Sequence, residues 1–217
     1  MMFTALFSVT LLSACGNRIT EDHSAHNNSS ARITNENVSS SAHDSMGHGA
    51  GMDHSGMQSS PGAASAPFEL QFLDTMIAHH QGAVDMAQLA DVRAQRQELK
   101  ELAANIISDQ EREIAKMSEW RDRWFEGKPQ AINMAFPGML EGMKGMDIKK
   151  LESLKGNEFD IEFVRQMIPH HEGAIVMAKA LRASGSKAEV KELAEDIITA
   201  QEKEIKQMQE WLSKWAK

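Results

Sequence analysis

A gapless internal repeat constrains the fold of this chain more than any other sequence feature. Residues 68–124 align with residues 159–215 at a constant offset of 91 positions, and 25 of the 57 aligned pairs are identical. The repeated strings MIAHHQGAVDMA and MIPHHEGAIVMA lie within these two copies. Gene duplication is the simplest origin of such a pattern, so we expect two copies of one structural unit, joined by a linker over residues 125–158.

Each copy shows the apolar periodicity of two amphipathic helices. In the first copy, apolar side chains three or four positions apart predict one helix over about residues 68–90 and a second over about residues 97–124. Because the connection between them is short, the two helices should pack antiparallel. One such hairpin is too small to bury its own apolar face, so residues 67–217 are predicted to form an all-α four-helix bundle from two duplicated antiparallel helical hairpins.

Two adjacent histidines interrupt the apolar stripe of the first helix in each copy. Counting helical levels from the hairpin turn places Gln110 opposite His80 and Glu111 opposite His79, with Glu113 within one turn. The sequence therefore predicts one buried polar layer across the bundle. Its members are His79, His80, His170 and His171, with Gln110, Glu113, Gln201 and Glu204 as supporting partners and Met76 and Met167 beside them.

Burying four imidazoles and two carboxylates is costly unless they pair with one another or bind something. Two interpretations of the layer stay open. It is either a metal-binding site or a closed hydrogen-bond network, from His to Gln to Glu, that fixes the register of the bundle. All nine histidines of the chain lie either in these two pairs or in a Met- and His-rich N-terminal stretch, which favours metal binding.

The ligand types favour copper. No Glu lies three residues before a His, so the Glu-x-x-His pattern of di-iron carboxylate bundles is missing. Structural zinc sites prefer Cys and His, and the only Cys is Cys15 near the N-terminus. Thioethers select soft Cu(I) and imidazole suits copper in either state, so we expect Cu(I), Cu(II) or both. The linker residues Met139, Met143 and Met146 either pack against the bundle or add thioether ligands.

The N-terminal segment predicts export. Residues 1–15 resemble a lipoprotein-type signal peptide, because an apolar run of about ten residues, half of the roughly 20 that a membrane span needs, is followed by LSAC. Cys15 would then carry the lipid, whereas an ordinary cleaved signal is the alternative. Residues 16–66 have few large apolar side chains and predict a disordered arm. Its candidate copper ligands are His43, Met46, His48, Met52, His54 and Met57.

The string MIPHHEGAIVMA, with PGMLEGM and LKGNEFD ahead of it, resembles the bacterial family called domain of unknown function 305 over residues 68–217. This resemblance implies a ferritin-like four-helix bundle. Some periplasmic members of the family are associated with copper binding and copper tolerance. Carried onto this sequence, the resemblance implies that four methionines lie near the double-His positions. They are Met76, Met86, Met167 and Met177.

These features predict an exported copper-binding protein, anchored by lipid on the periplasmic or outer surface of a bacterial membrane, that captures and buffers copper. Expected partners are metal ions, the membrane through Cys15, and a copper-handling protein. The net charge of −8 disfavours nucleic acid. Two alternatives stay open. One is a ferritin-like metal-dependent redox enzyme, which the absence of Glu-x-x-His and of Tyr disfavours. The other is a bundle without metal that works through a partner.

Overall fold

The apolar stripes of the two copies form four long helices that pack into one bundle. The computed structural model describes residues 57–217, which confirm the predicted all-α fold. No helix in this part of the chain is long and apolar enough to cross a membrane. The helices are, in chain order, α1 (Phe68–Gln88), α2 (Ala90–Arg93), α3 (Gln97–Trp124), α4 (Met139–Met143), α5 (Ile148–Ser153), α6 (Gly156–Arg182) and α7 (Ala188–Trp215).

Two apolar clusters fill the bundle, and each is shared by both copies. Helix α1 packs against α3 and α6 against α7, and α1 also packs against α6 between the copies. One cluster, called here the Phe72 cluster, joins Phe72 of α1 to Leu181 of α6. The other, the Phe163 cluster, joins Phe163 of α6 to Leu99 of α3. Because neither copy has a core of its own, the duplicated hairpins must fold together.

Two ion pairs at repeat-related positions join the two copies. Asp160 of α6 accepts hydrogen bonds from the backbone N–H of Arg96, at 3.1 Å, and from its guanidinium, at 2.8 Å, where α3 begins. At the repeat-related position, the Glu69 carboxylate accepts from the Lys187 backbone N–H at 2.7 Å, where α7 begins. A carboxylate at a helix N-terminus is favourable because it meets the positive end of the helix dipole. Each copy therefore stabilises the helix start of the other.

Replacing Asp160 with Ala should lower the free energy of unfolding by about 2 kcal/mol, because two backbone N–H groups and a guanidinium lose a fully buried acceptor. Urea unfolding followed by far-UV circular dichroism measures this. The matched control is Glu119→Ala, which removes an exposed ion pair with Arg123 and should change the same free energy by less than about 0.5 kcal/mol. Equal losses in the two variants would show that Asp160 does not join the copies.

The linker lies along α1 and α6 and is tied to both. Thr75 Oγ1 accepts a hydrogen bond from the Asn133 backbone N–H at 3.0 Å. Gln166, which aligns with Thr75 in the repeat, accepts one from the Asp147 backbone N–H at 2.8 Å. One duplicated position therefore holds the linker at two points, one on each copy.

Two carboxylates at these attachments have shifted pKa values. Burial raises the pKa of Asp74 above its ordinary value, although the hydrogen bond from the Ala131 N–H opposes the shift. Burial would also raise the pKa of Glu162, but hydrogen bonds from Lys150 and Gln166 and the nearby positive charge lower it overall. A lowered carboxyl pKa contributes stability above the unfolded pKa and loses it as the pH falls through the folded value. Acid should therefore weaken the attachment of Lys150 to Glu162.

Residues 57–66 correct the predicted end of the arm. The Ser60 backbone N–H donates to the Ile132 carbonyl of the linker at 2.8 Å. Met57, predicted as a copper ligand of the arm, is partly buried against the Phe72 cluster. The prediction of disorder up to residue 66 is wrong for this stretch, because the linker backbone supplies hydrogen-bond partners that composition cannot show. The other predicted arm ligands, and Cys15, lie outside the described residues.

Candidate metal centre

All four histidines of the duplicated HH pair are buried in a layer between the two apolar clusters. His79 of α1 and His170 of α6 meet where the copies join, with ring centroids 3.8 Å apart and ring planes inclined by 36°. Their chain neighbours, His80 and His171, are directed toward the second helix of their own copy. The structure therefore brings the four histidines to one level of the bundle, with two at its centre and two toward its sides.

The two outer histidines make the same contact in each copy. His80 Nε2 lies 2.7 Å from a carboxylate oxygen of Glu113, and His171 Nε2 lies 2.8 Å from one of Glu204. A carboxylate only accepts, so Nε2 of each ring is the donor in this contact. Within residues 57–217, Nδ1 of His80 and Nδ1 of His171 are buried and have no hydrogen-bond partner. Metal-binding histidines show this arrangement, in which a carboxylate holds one ring nitrogen and the other keeps its lone pair for the ion.

The two predicted glutamines belong to the same layer. Gln110 and Gln201 are each only 3 % exposed. Their side-chain oxygens have no hydrogen-bond partner among the described residues. Buried polar groups without partners are uncommon in folded proteins, and they point to a ligand or to bound water. These glutamine oxygens thus add two acceptor atoms to the layer that a bound ion or bound water would satisfy.

The predicted helical levels were wrong by three residues. His80 meets Glu113 and not Gln110, and Glu111, predicted opposite His79, is exposed. The second copy shows the same spacing, with His171 meeting Glu204, although no helix is inserted between α6 and α7. The short helix α2 in the first connection therefore does not cause the offset.

The four predicted methionines flank the layer on both sides and do not share one site. Met76 and Met177 belong to the Phe72 cluster, whereas Met86 and Met167 belong to the Phe163 cluster. All four side chains are fully buried. Helical spacing still keeps Met76 within one turn of His79, and Met167 within one turn of His170.

The linker closes one side of the layer, which the sequence did not predict. Gly82 and Gly173, identical in the repeat, form the two contact points. A Cβ atom at Gly173 would lie 2.5 Å from the Gly142 Cα of α4, so the two backbones touch. A Cβ atom at Gly82 would lie 3.2 Å from the sulfur of Met146. The identity of the two glycines was the available sequence signal for this close approach.

Two further features of the layer bear on metal binding. They are the number of ligand side chains that converge at one point and the access to the layer from solvent. Among residues 57–217, no three His, Cys, Asp or Glu side chains converge closely enough to hold a metal ion by themselves. A groove of about 280 Å³ between α3 and α7 reaches Glu113 from solvent. Two acidic side chains, Asp109 and Asp196, and two basic ones, Arg112 and Lys116, also line it, so its charge is mixed.

The family profile for DUF305, a domain of unknown function, matches the chain over residues 12–121 and 69–212. This chain belongs to the DUF305 family. No curated protein sequence matches it. A crystal structure of a DUF305 protein from Streptomyces coelicolor, provisionally described as secreted, superposes with a TM-score of 0.60 at 29 % identity, over 69 % of this chain and 94 % of that one.

Structures of the protein CopM are more similar in sequence. CopM in its Cu(II)-bound form is 41 % identical, with a TM-score of 0.58, over 68 % of this chain and 98 % of CopM. Its silver-bound form, obtained by co-crystallisation, gives the same identity and TM-score over 68 % of this chain and 96 % of CopM. CopM has also been determined in a Cu(I)-bound form.

Proposed function

We propose that this protein binds copper in the buried layer formed by His79, His80, His170 and His171. One observation carries the proposal: in both copies a glutamate holds Nε2 of the outer histidine and leaves the buried Nδ1 without a partner. Four buried imidazoles are costly to keep unless they pair with other groups or bind an ion. The protein is a binding protein in this proposal, and it captures and buffers copper through His and Met.

The choice of copper rests on the ligand types and on a relative. Thioethers flank the layer on both sides, and thioether with imidazole favours Cu(I) while imidazole alone accepts Cu(II). CopM binds Cu(I), Cu(II) and silver, which are the ions expected of such a mixed donor set. In this chain, we propose the four histidines as ligands, with Gln110, Glu113, Gln201 and Glu204 as their hydrogen-bond support.

We place the protein outside the cytoplasm, anchored to a membrane by lipid on Cys15. The LSAC string supports this placement, as does the relative from Streptomyces that is provisionally described as secreted. In this proposal the arm collects copper through His43, His48, His54 and the methionines between them, and the bundle retains it or passes it to a copper-handling protein. Metabolic labelling with a fatty acid, compared between the natural chain and Cys15→Ala, tests the anchor. Labelling that persists in the variant contradicts it.

Copper titration of the whole chain tests the binding function. A variant called arm-Ser keeps Met57, which packs on the bundle, and so separates the bundle from the arm. Anaerobic Cu(I) titration against a chromophoric chelator should show fewer bound ions in arm-Ser than in the natural chain, with the tightest site retained. Loss of all binding in arm-Ser would contradict a site in the bundle. Arm-Ser carries Ser in place of every His of the arm and of the methionines between them. These residues are His23, His26, His43, Met46, His48, Met52 and His54.

The two His–Glu hydrogen bonds also favour a second function, in which the layer only fixes the register of the bundle. A buried polar network can specify one packing arrangement without binding anything. This function predicts that arm-Ser binds no copper and that neither Cu(I) nor Cu(II) changes its thermal stability. The copper proposal predicts the opposite result in both measurements.

A further inference from the structure

The linker crosses the histidine layer between two of its methionines. Met143 is partly buried against the Phe72 cluster, whereas Met146 is partly buried against the Phe163 cluster. These clusters lie on opposite sides of the layer, so the three-residue step from Met143 to Met146 passes over the histidines. The positive φ of Gly145, +91°, ends the helical direction of α4 and turns the chain toward Met146.

The sulfur of Met146 and a ring nitrogen of His170 face the same notch in α1. The notch exists because Gly82 has no side chain. A Cβ atom placed there would lie 3.2 Å from Met146 Sδ and 3.4 Å from His170 Nε2. A thioether and an imidazole nitrogen that flank one small gap are the donors that a soft monovalent ion prefers.

Fixed contacts on both sides hold Met146 in this place. On one side, the backbone of Gly142 lies against Gly173 of α6. On the other side, the Asp147 N–H donates to Gln166 at 2.8 Å. Because the chain is anchored four residues before Met146 and one residue after it, the thioether is positioned before any ion binds. Such preorganisation lowers the entropic cost of binding.

The two halves of the layer differ at this point. The repeat-related counterpart of Gly82 is Gly173, and its notch is filled by the Gly142 backbone of the linker, not by a sulfur. Likewise, a Cβ atom at Gly142 would lie 2.6 Å from His79 Nε2, so this central histidine faces the backbone of α4. The linker therefore breaks the pseudo-twofold symmetry of the site and supplies a thioether to one half only.

We propose that Met146 is a copper ligand and that it forms, with His170, a mixed thioether–imidazole site that selects Cu(I) over Cu(II). The inference rests on the proposed copper-binding function and deepens it, because it names the residue that determines the oxidation state bound. Met143, three residues away and equally part of the linker, has no such role, because the atoms nearest to the Gly82 notch belong to Met146 and His170 and not to Met143.

The Met146→Leu variant in the arm-Ser background tests the ligand assignment, with Met143→Leu as the matched control. Leu keeps the apolar volume and removes the sulfur, so both variants should retain the thermal stability of arm-Ser. We expect Met146→Leu to weaken Cu(I) binding by about tenfold or more and to leave Cu(II) binding unchanged, whereas Met143→Leu changes neither. X-ray absorption of the Cu(I)-loaded protein should show copper–sulfur scattering that Met146→Leu removes.

The Gly82→Ala variant gives a second test in which no proposed ligand residue is replaced. The new methyl group would occupy the gap between Met146 Sδ and His170 Nε2 and should weaken Cu(I) binding, while Ala in a helix favours folding. If arm-Ser binds Cu(I) and neither Met146→Leu nor Gly82→Ala weakens it, the Met146 assignment is wrong and the histidine site stands. If arm-Ser binds no copper, the proposed function fails first.

Discussion

Replacing both central histidines with Gln is expected to weaken Cu(I) binding by the bundle about 100-fold or more. His79→Gln and His170→Gln together remove the two imidazoles that meet where the copies join, 3.8 Å apart. Even the loss of a residue that only supports a metal ligand typically costs 10- to 100-fold in affinity, so the loss of two ligands should exceed that range. The amide of Gln keeps a polar group of similar length in the layer but binds Cu(I) poorly. Competition with a chromophoric chelator in the arm-Ser background measures the change.

A symmetric pair on the same two helices supplies the control. Ile77→Val and Ile168→Val change repeat-related, partly buried positions on α1 and α6. These changes should cost about 1 kcal/mol in stability and leave the affinity for Cu(I) unchanged. Far-UV circular dichroism and thermal unfolding establish that every variant is folded before titration. If the Gln variant, the Val control and arm-Ser bind Cu(I) with equal affinity, the central histidines are not copper ligands.

Gly173→Ala should produce the largest loss of stability of any single change considered, about 3 kcal/mol in the free energy of unfolding. The new methyl group would lie 2.5 Å from Gly142 Cα and 2.6 Å from the Gly138 carbonyl oxygen. Both are backbone atoms, so no flexible side chain can move aside. Either α4 separates from α6 or α6 shifts within the core. The higher helix propensity of Ala recovers at most about 1 kcal/mol.

Urea unfolding measures this loss, and Gly185→Ala is the control. A Cβ atom at Gly185, in the loop after α6, would meet no atom within 4 Å, and its φ is ordinary. That substitution should change the free energy of unfolding by less than about 0.5 kcal/mol. If Gly173→Ala unfolds at the same urea concentration as Gly185→Ala, the linker is not fastened to α6 in the way described. If α4 separates, Cu(I) binding should also weaken, because Met146 loses its anchor.

The helices and the position of the histidine layer could be predicted from the sequence because both depend on local periodicity. Apolar spacing identifies α1, α3, α6 and α7, and the repeat transfers each assignment from one copy to the other. The reciprocal contacts of Asp160 and Glu69 could not be predicted in this way. They join residues 64 and 118 positions apart, and only the packing of one copy on the other brings them together.

The course of the linker was the main feature that sequence reasoning missed. The sequence predicted only that its methionines pack against the bundle or add thioether ligands. In the structure α4 ends at Met143, and Met146 lies beyond it on the other side of the layer. Turn residues show where a chain can bend, not which surface it then covers. The surface is set by close backbone contacts at Gly142 and Gly173, and such contacts have no sequence period.

Thermal unfolding of arm-Ser with and without Cu(I) shows whether the bundle itself holds a copper site. A ligand that binds only the folded state at 100 times its dissociation constant stabilises that state by about 2.7 kcal/mol. For a chain of this size, that free energy corresponds to a rise in Tm of roughly 5–10 °C. We expect such a rise for Cu(I), and we expect it to be lost when His79 and His170 are both replaced by Gln. An unchanged Tm of arm-Ser at saturating Cu(I) would contradict a copper site in the bundle.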